Sequence, residues 1–431
     1  MTGVLTTAAS LAAPPGWPEE APDCVYNGLP GAIVQMPAPY TEADPLAILG
    51  QLLVGAGSVV GRGAWFAVEA TRHHANELAV LVGDSSKARK GSSFDHVARL
   101  LARTDPDLPR RTRSGLSTGE GLVWVVRDPQ GSDPGAEDPL LLVVEPELVS
   151  VLKATGRDMP TLSPVLRLAW AGRPLQLLTR TTPTRASGAH LCVIGHITAS
   201  ELRSHLHATE VTNGCLNRFV LLACRRVRLL PEGGCSPRAA APRGRLLPEG
   251  GDPDPLAGTG LREQLQSTLA WARTAGALRF SVGVRVEWWE AYASLSQAAD
   301  GPHGAMCARA EVHVVRLALV YALLDRSPAI ETHHLEAALA PWDYAARSAA
   351  WALDPASGDP LAEQIHVALL TASDGLTRTE LRDLFWRDQS AHAIDVALGS
   401  LVRSGRARSR RESTRGRPAE RWRAVTPGNG P

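Results

Sequence analysis

Apolar residues in this chain come in short, nearly unbroken runs, set apart by segments long enough to form a helix. Glu77 to Val82, Leu140 to Val144 and Leu191 to Ile194 are such runs, and each gives way to polar or small residues. A run that is apolar at consecutive positions buries both faces of a strand, as the interior of a parallel sheet requires. Trp65 to Val68 is strand-like as well, and Asp44-Pro45 opens an apolar segment through Val60 that predicts a helix packed on the sheet. Alternation of this kind predicts an α/β layer fold with a mostly parallel sheet and its chemistry at the carboxyl ends of the strands.

The pattern changes along the chain. Residues 1–40 are rich in Pro, Ala and Gly and predict an extended leader, with the α/β core at 41–227. In 228–258 the heptapeptide Arg228 to Gly234 recurs verbatim at Arg245 to Gly251, flanked by Pro and Gly; two copies are too few for a solenoid and predict a duplicated surface loop. Helical periodicity over Ala308 to Leu324 and Ile330 to Trp351 predicts a helical subdomain at 259–355. The last unit, 360–425, predicts three short helices at Leu361 to Leu370, Thr377 to Phe385 and Ala391 to Ser404, then an Arg-rich stretch.

The run ending at Val82 enters Gly83-Asp84-Ser85-Ser86-Lys87-Ala88-Arg89-Lys90-Gly91-Ser92-Ser93, followed by helix-like residues from Phe94 to Ala102. That layout fits a phosphate-binding loop, in which helix N-terminal amides attract anions, a lysine neutralises phosphate charge and a hydroxyl holds Mg²⁺. Here Gly83, Ser85, Ser86, Lys87, Lys90, Gly91, Ser92 and Ser93 are the candidate nucleotide contacts. The spacing is irregular: in G-x-x-x-x-G-K-[ST] the lysine follows the first glycine by six residues, whereas Lys90 follows Gly83 by seven, and Lys87 is its nearest rival. A basic Gly/Ser surface turn is the plain alternative.

Composition narrows the class. At 431 residues and 44% hydrophobic content the chain supports two or three domains with real cores, and its net charge of +1 hides a crowd of arginines in the last thirty positions. Six cysteines without C-x-x-C spacing indicate neither a zinc ribbon nor a disulfide framework, and no apolar run spans a bilayer. The expectation is a soluble, cytoplasmic protein with reduced thiols and no membrane partner.

Further polar residues fall at the ends of the predicted strands. Glu145 and Glu147 follow Val144; in a phosphoryl-transfer site one acid there holds the metal and another activates water, so Glu145 is assigned to Mg²⁺ with Ser92, and Glu147 to water. His196 closes the next run and is placed to sense a terminal phosphate. Arg218 stands just before an apolar strand starting at Phe219, where an arginine can stabilise charge on a neighbouring subunit's nucleotide. The loop Leu178 to Gly188 carries hydroxyls and arginines without acids, a composition suited to phosphate-backbone contact. In the tail, Arg403, Arg406, Arg408, Arg410, Arg411, Arg415 and Arg417 follow three helices, and Gly416-Arg417-Pro418 with Trp422 suggests a wing turn and returning strand, hence a DNA-binding winged helix-turn-helix.

The ordered set Gly83 to Ser93, Ser117 to Leu122, Val144 to Leu148, Gly195 to Thr198 and Gly214 to Phe219 resembles the RecA-like P-loop ATPase domain of an uncharacterised family of plasmid, prophage and other mobile-element replication proteins, often linked to primase-polymerase domains. The resemblance covers roughly residues 40–350. It implies a RecA-like P-loop NTPase core, ATP and Mg²⁺ as cofactors, Lys90 and Ser92 at nucleotide and metal, Glu147 as the catalytic acid and Arg218 near a subunit boundary. The displaced Lys90 and Pro146 depart from the family pattern. The expected function is an ATP-binding, ATP-hydrolysing, helicase-like motor or replication-initiation protein, homo-oligomeric on DNA and served by a separate primase or replication partner. The alternative is a non-enzymatic DNA-binding regulator or assembly factor with a degenerate ATPase core.

Overall fold

The computed structural model of the chain describes residues 13, 16–84, 86–156, 161–177, 183–206, 210, 213–230, 256, 258–297, 299, 301–354, 360–372, 374–385, 390–403, 405–412 and 419–425. They fall into two compact units, 1–349 and 350–431. The first begins with α1 (Gly28–Gln35), α2 (Pro45–Val60), β1 (Ala64–Val68), β2 (Thr71–His74), β3 (Leu78–Val82), α3 (Lys90–Thr104), α4 (Leu108–Arg111), β4 (Thr112–Arg113) and α5 (Gly119–Val125). It continues through β5 (Leu140–Glu145), α6 (Val149–Thr155), α7 (Leu162–Trp170), β6 (Leu175–Leu177), β7 (Thr184–Ala186), β8 (His190–Ile197), α8 (Ala199–His205) and β9 (Phe219–Ala223). After these come α9 (Leu261–Ala272), β10 (Gly276–Leu278), α10 (Val284–Leu295), α11 (Gly301–Cys307), α12 (Ala310–Leu324) and α13 (Thr332–Leu353).

Five strands in the order β4-β5-β8-β3-β9 make one sheet in which every pairing is parallel. β3, β8 and β9 are buried at every position, which is why their sequences do not alternate. The register aligns Val82 with Ile197 and with Ala223, so the loops after β3, β8 and β9 leave the same edge at the same height. β5 ends at Glu145 opposite Gly195, short of that edge.

Helices cover both faces. The Asp44 side chain accepts from the Leu46 amide and Pro45 occupies the first turn, so α2 starts where the sequence signal put it. α2 lies tight on the sheet: a Cβ on Gly50 would come within 2.3 Å of the Leu222 side chain, and one on Gly57 within 2.1 Å of the Ala75 carbonyl. α3 packs beside α2. On the opposite face Val80 and Leu221 share an apolar cavity with Leu148, Leu152, Leu166 and Leu202, which brings in α6, α7 and α8. Leu221 and Leu222 are consecutive on β9 and so point to different layers.

Several expectations change. The leader contains a helix, α1, with Leu29, Ile33 and Val34 buried against α2 and α12; Pro and Gly in its composition hid the apolar spacing. The Trp65 strand is outside the parallel sheet: β1 pairs with β2 antiparallel and with β10 in parallel, and β10 interrupts the stretch expected to be all helical. Most of the duplicated loop lies outside the described residues.

The second unit comprises α14 (Pro360–Thr371), β11 (Leu376–Thr377), α15 (Arg378–Leu384), α16 (Ala391–Arg403), β12 (Ala407–Glu412) and β13 (Ala419–Ala424). Its strands form an antiparallel sheet in the order β11-β13-β12. Ile365, Leu369, Leu381, Ile394, Leu398, Leu401 and Trp422 make its own core. Thr377 caps α15 and Glu380 reciprocates to the Thr377 amide, a capping box visible in the sequence as Thr-x-x-Glu. No described helix of either unit is long and apolar enough to cross a membrane.

Candidate functional site

The loop after β3 is fixed at both ends. Gly83 donates to the Ile197 carbonyl at 3.2 Å and leaves no space for a side chain, since a Cβ there would lie 2.2 Å from the Cys224 carbonyl oxygen and 2.8 Å from Ala88 Cβ. Ser86–Ala88 form a 3-10 turn with Lys87 exposed, and Arg89 then adopts a left-handed backbone, φ 56°. Glu42 holds Arg89 there, accepting from its Nε at 2.7 Å while also facing Arg226 and the Leu230 amide. Lys90 is the first residue of α3 and folds back over the loop. Its Nζ donates to Gly83 O at 2.8 Å and Asp84 O at 2.7 Å, and burial lowers its pKa below the usual lysine range.

The first amides of α3 have no carbonyl one turn back, so they and the positive end of the helix dipole face the same opening. Gly91 lies in this turn with nothing within 4 Å of a built Cβ. Gly91→Ala is therefore expected to stabilise the protein by about 0.5 kcal/mol through helix propensity, read as a small rise in urea midpoint.

Behind the loop runs a buried polar chain. His196 Nε2 donates to Gln51 Oε1 at 2.9 Å, Gln51 Nε2 donates to Ser93 Oγ at 2.7 Å, and Ser93 Oγ donates to Lys90 O at 2.6 Å. Ser93 is thus committed to this chain, while Ser92 is exposed on the first turn of α3. Burial, with a smaller effect from Lys90, takes His196 down to about 4, so the ring is neutral and its N–H donates. Thr198 caps α8 in a capping box with Glu201, and the Thr198 bonds together with Lys90 hold the Glu201 carboxyl below its ordinary value.

The remaining candidates are more dispersed. Glu145 is buried and its Oε1 accepts from the Leu116 amide at 2.7 Å. β8 separates β5 from β3, so Glu145 is two strand spacings, about 10 Å, across the sheet from β3. Glu147 is exposed in the turn beyond it. Arg218 lies elsewhere: it precedes β9, at the amino edge of the sheet, and cannot converge on its own chain's loop. Ser85 is outside the described residues, as are Arg415 and Arg417 and residues 178–182 of the basic loop; Arg403 and Arg411 lie in α16 and β12, and Arg408 and Arg410 are exposed on β12 beside the half-buried Arg406.

The layering adds what the sequence alone did not show. β3 leads into α3 on the α2 face, while its neighbour β8 leads into α8 beside α6 on the other face. Helices that depart to opposite sides from adjacent parallel strands open a crevice at the carboxyl ends, the place where α/β sheets bind ligands. Lys90, His196, Thr198 and Glu201 border it. Gln51 escaped sequence analysis, although a lone amide in the apolar run of α2 was a readable sign. A separate trio, Asp325, His333 and His334, has donor atoms within 4.8 Å of one another. There His334 Nδ1 accepts from the Glu331 amide at 3.0 Å, leaving the proton on the Nε2 that faces Asp325, so this ring closes the N-terminus of α13 instead of presenting a lone pair to a metal. The sequence matches no protein-family model and no curated protein.

Proposed function

We propose that the chain binds ATP with Mg²⁺ at Gly83–Ser93 and hydrolyses it, in a RecA-like P-loop domain that works as an oligomer on DNA. The observation that carries this reading is the placement of Lys90: its ammonium group is drawn into the curl of a glycine-led loop, at a helix N-terminus, at a crevice where two parallel strands send their helices to opposite faces. In this proposal Lys90 exchanges its two backbone carbonyls for phosphate oxygens, and Ser92 supplies the hydroxyl to Mg²⁺. Glu145, on the next strand but one and bound to the Leu116 amide, and Glu147, exposed in the turn after it, would be the acids for metal and water. His196, kept neutral, transmits the state of the crevice through Gln51 to α3.

The second unit supports the DNA half of the reading. Three helices with a strand before the second and a two-stranded ribbon after the third follow the order of a winged helix. Arg408 is paired across the ribbon with Arg423, and Arg410 with Arg421, so like charges stand opposite one another, an arrangement that a polyanion relieves. If about five arginines meet phosphates, log K for a duplex should fall with log salt at a slope near −4 to −5. A slope shallower than about −2 would remove the tail as the DNA contact.

The activity test is phosphate release from Mg-ATP with and without DNA, run beside light scattering. A motor releases phosphate and changes its assembly state with Mg-ATP. A regulator with a decayed core binds DNA with the same salt sensitivity but does neither.

A further inference from the structure

At the amino edge of the sheet, remote from Lys90, three arginines gather around one indole and a fourth, Arg167, acts on Arg218. The guanidinium carbon of Arg316 lies 4.1 Å from the Trp170 ring centroid, and those of Arg218 and Arg309 lie 5.5 Å from it. Arg316 has a carboxylate: it donates to Asn76 O and Trp170 O and faces Glu77 at 4.0 Å, although its Nε also lacks an acceptor. The others have no carboxylate at ion-pair distance among the described residues. Arg167 donates from Nη1 to Asn213 O, and Arg218 from Nη1 to Gly214 O and Asn217 Oδ1, all neutral acceptors. The Arg309 side chain forms no hydrogen bond among the described residues, and the Nε atoms of Arg167, Arg218 and Arg309 are all buried without an acceptor. Glu210, the acid beside Arg167, has its two oxygens engaged by Ser163 and Asn213.

Three guanidinium groups kept close together, with the one neighbouring carboxylate engaged elsewhere, repel one another and leave N–H donors unspent, an arrangement that a bound anion would relieve. Burial, then Arg309 and Arg167, hold Arg218 down to about 10, an independent sign that these cations feel each other. We propose that Arg167, Arg218 and Arg309 form an anion site for a phosphate group, at the sheet edge opposite the Lys90 loop. Phosphate fits better than carboxylate, because a tetrahedral dianion offers several oxygens to several planar guanidinium forks, and its charge nearly balances the cluster. The site does not depend on the proposed nucleotide loop. β9 alone sets the two about 15 Å apart.

The experiment is calorimetric titration of the full chain carrying Lys90→Ala, which silences the loop, with inorganic phosphate, pyrophosphate, ATP and a single-stranded oligo-dT in turn. Heat from phosphate or pyrophosphate assigns the site to a free anion, from ATP alone to a nucleotide, and from the oligomer alone to a phosphodiester; each supports the site where Arg309→Gln weakens it, because the tail arginines and the loop can answer the last two probes on their own. Silence from all four probes overturns it. Arg309→Gln then separates binding from scaffolding, because the Arg309 side chain has no hydrogen bond to lose. It should weaken the responding probe at least tenfold and raise the melting temperature measured without phosphate, since a like charge is gone. Unchanged affinity, or a lowered phosphate-free melting temperature, contradicts the proposal.

Discussion

Acidification from pH 7 to pH 5 is expected to remove roughly 4 kcal/mol of stability from the first unit, a large part of the 5–15 kcal/mol typical of folded domains. Three imidazoles carry most of it, with the half-buried His73, also taken down to about 4 by burial, acting in the same sense. His74, His190 and His196 are each almost fully buried, and burial above all takes them to about 4, about 3 and about 4 from an ordinary 6.5. Each makes a hydrogen bond as a neutral ring: His74 to Ala64 O, His190 to Gly57 O and His196 to Gln51 Oε1. The unfolded chain takes up their protons below pH 6.5 while the folded chain resists until pH 4 or lower, so stability present above pH 6.5 is lost as pH falls through that window. Each site approaches about 1.4 kcal/mol per pH unit there. Asp44 acts in the opposite sense, because burial raises it to about 6 and the folded state gains a proton first; it returns about 1 kcal/mol. Urea midpoints at the two pH values measure the net effect. Equal midpoints would mean that these rings are accessible to water and titrate normally.

Arg316→Met is expected to cost about 3–5 kcal/mol, the largest loss foreseen for a single substitution in this chain. Arg316 is 1% exposed and ties α12 to the residues before β3 and to the end of α7, through Asn76 O at 2.5 Å and Trp170 O at 2.6 Å. Its removal leaves Asn76 O without its donor and Trp170 O with Asn76 Nδ2 alone, and leaves Glu77 without a nearby guanidinium, its remaining contact being His313 Nδ1 at 2.9 Å. Adding Glu77→Gln to Arg316→Met should recover part of the loss, since a neutral amide is easier to bury than an uncompensated carboxylate. Thermal or urea unfolding of both variants decides this. A loss under 1 kcal/mol, or a double variant worse than the single, would mean that Arg316 is a passenger in the core.

How much was legible in the sequence depended on whether the signal was local. β3, β5 and β8 could be read as strands because both of their faces are buried and their central residues are apolar at consecutive positions. The start of α2 was legible from Asp44-Pro45, and α14, α15 and α16 from short helical repeats closed by Gly375 and the Arg-rich ribbon. What escaped is set by distant partners. β1 pairs with Gly276–Leu278, more than two hundred residues away, and nothing within Trp65 to Val68 announces a second sheet. α1 was obscured by prolines and glycines around a brief apolar stripe. At the candidate site the loop could be read along the chain, with Lys90 preferred and Lys87 as its nearest rival. Geometry separates them, with Lys87 exposed on a 3-10 turn and Lys90 bound to two loop carbonyls. That Ser93 turns inward to Gln51, that Glu145 serves the Leu116 amide and that Arg218 belongs to the far edge follow from layer and register, which spacing along the chain does not encode.

The measurement closest to the centre of the account is equilibrium binding of a fluorescent ATP analogue with Mg²⁺ to the parent, to Lys90→Ala and to Lys87→Ala. Lys90 is the cation drawn into the loop, so its loss should weaken binding by a factor of ten or more, about 1.4 kcal/mol, whereas Lys87→Ala should stay within about threefold of the parent. Parent-like affinity in Lys90→Ala, or no affinity in the parent itself, would contradict a nucleotide site at Gly83–Ser93.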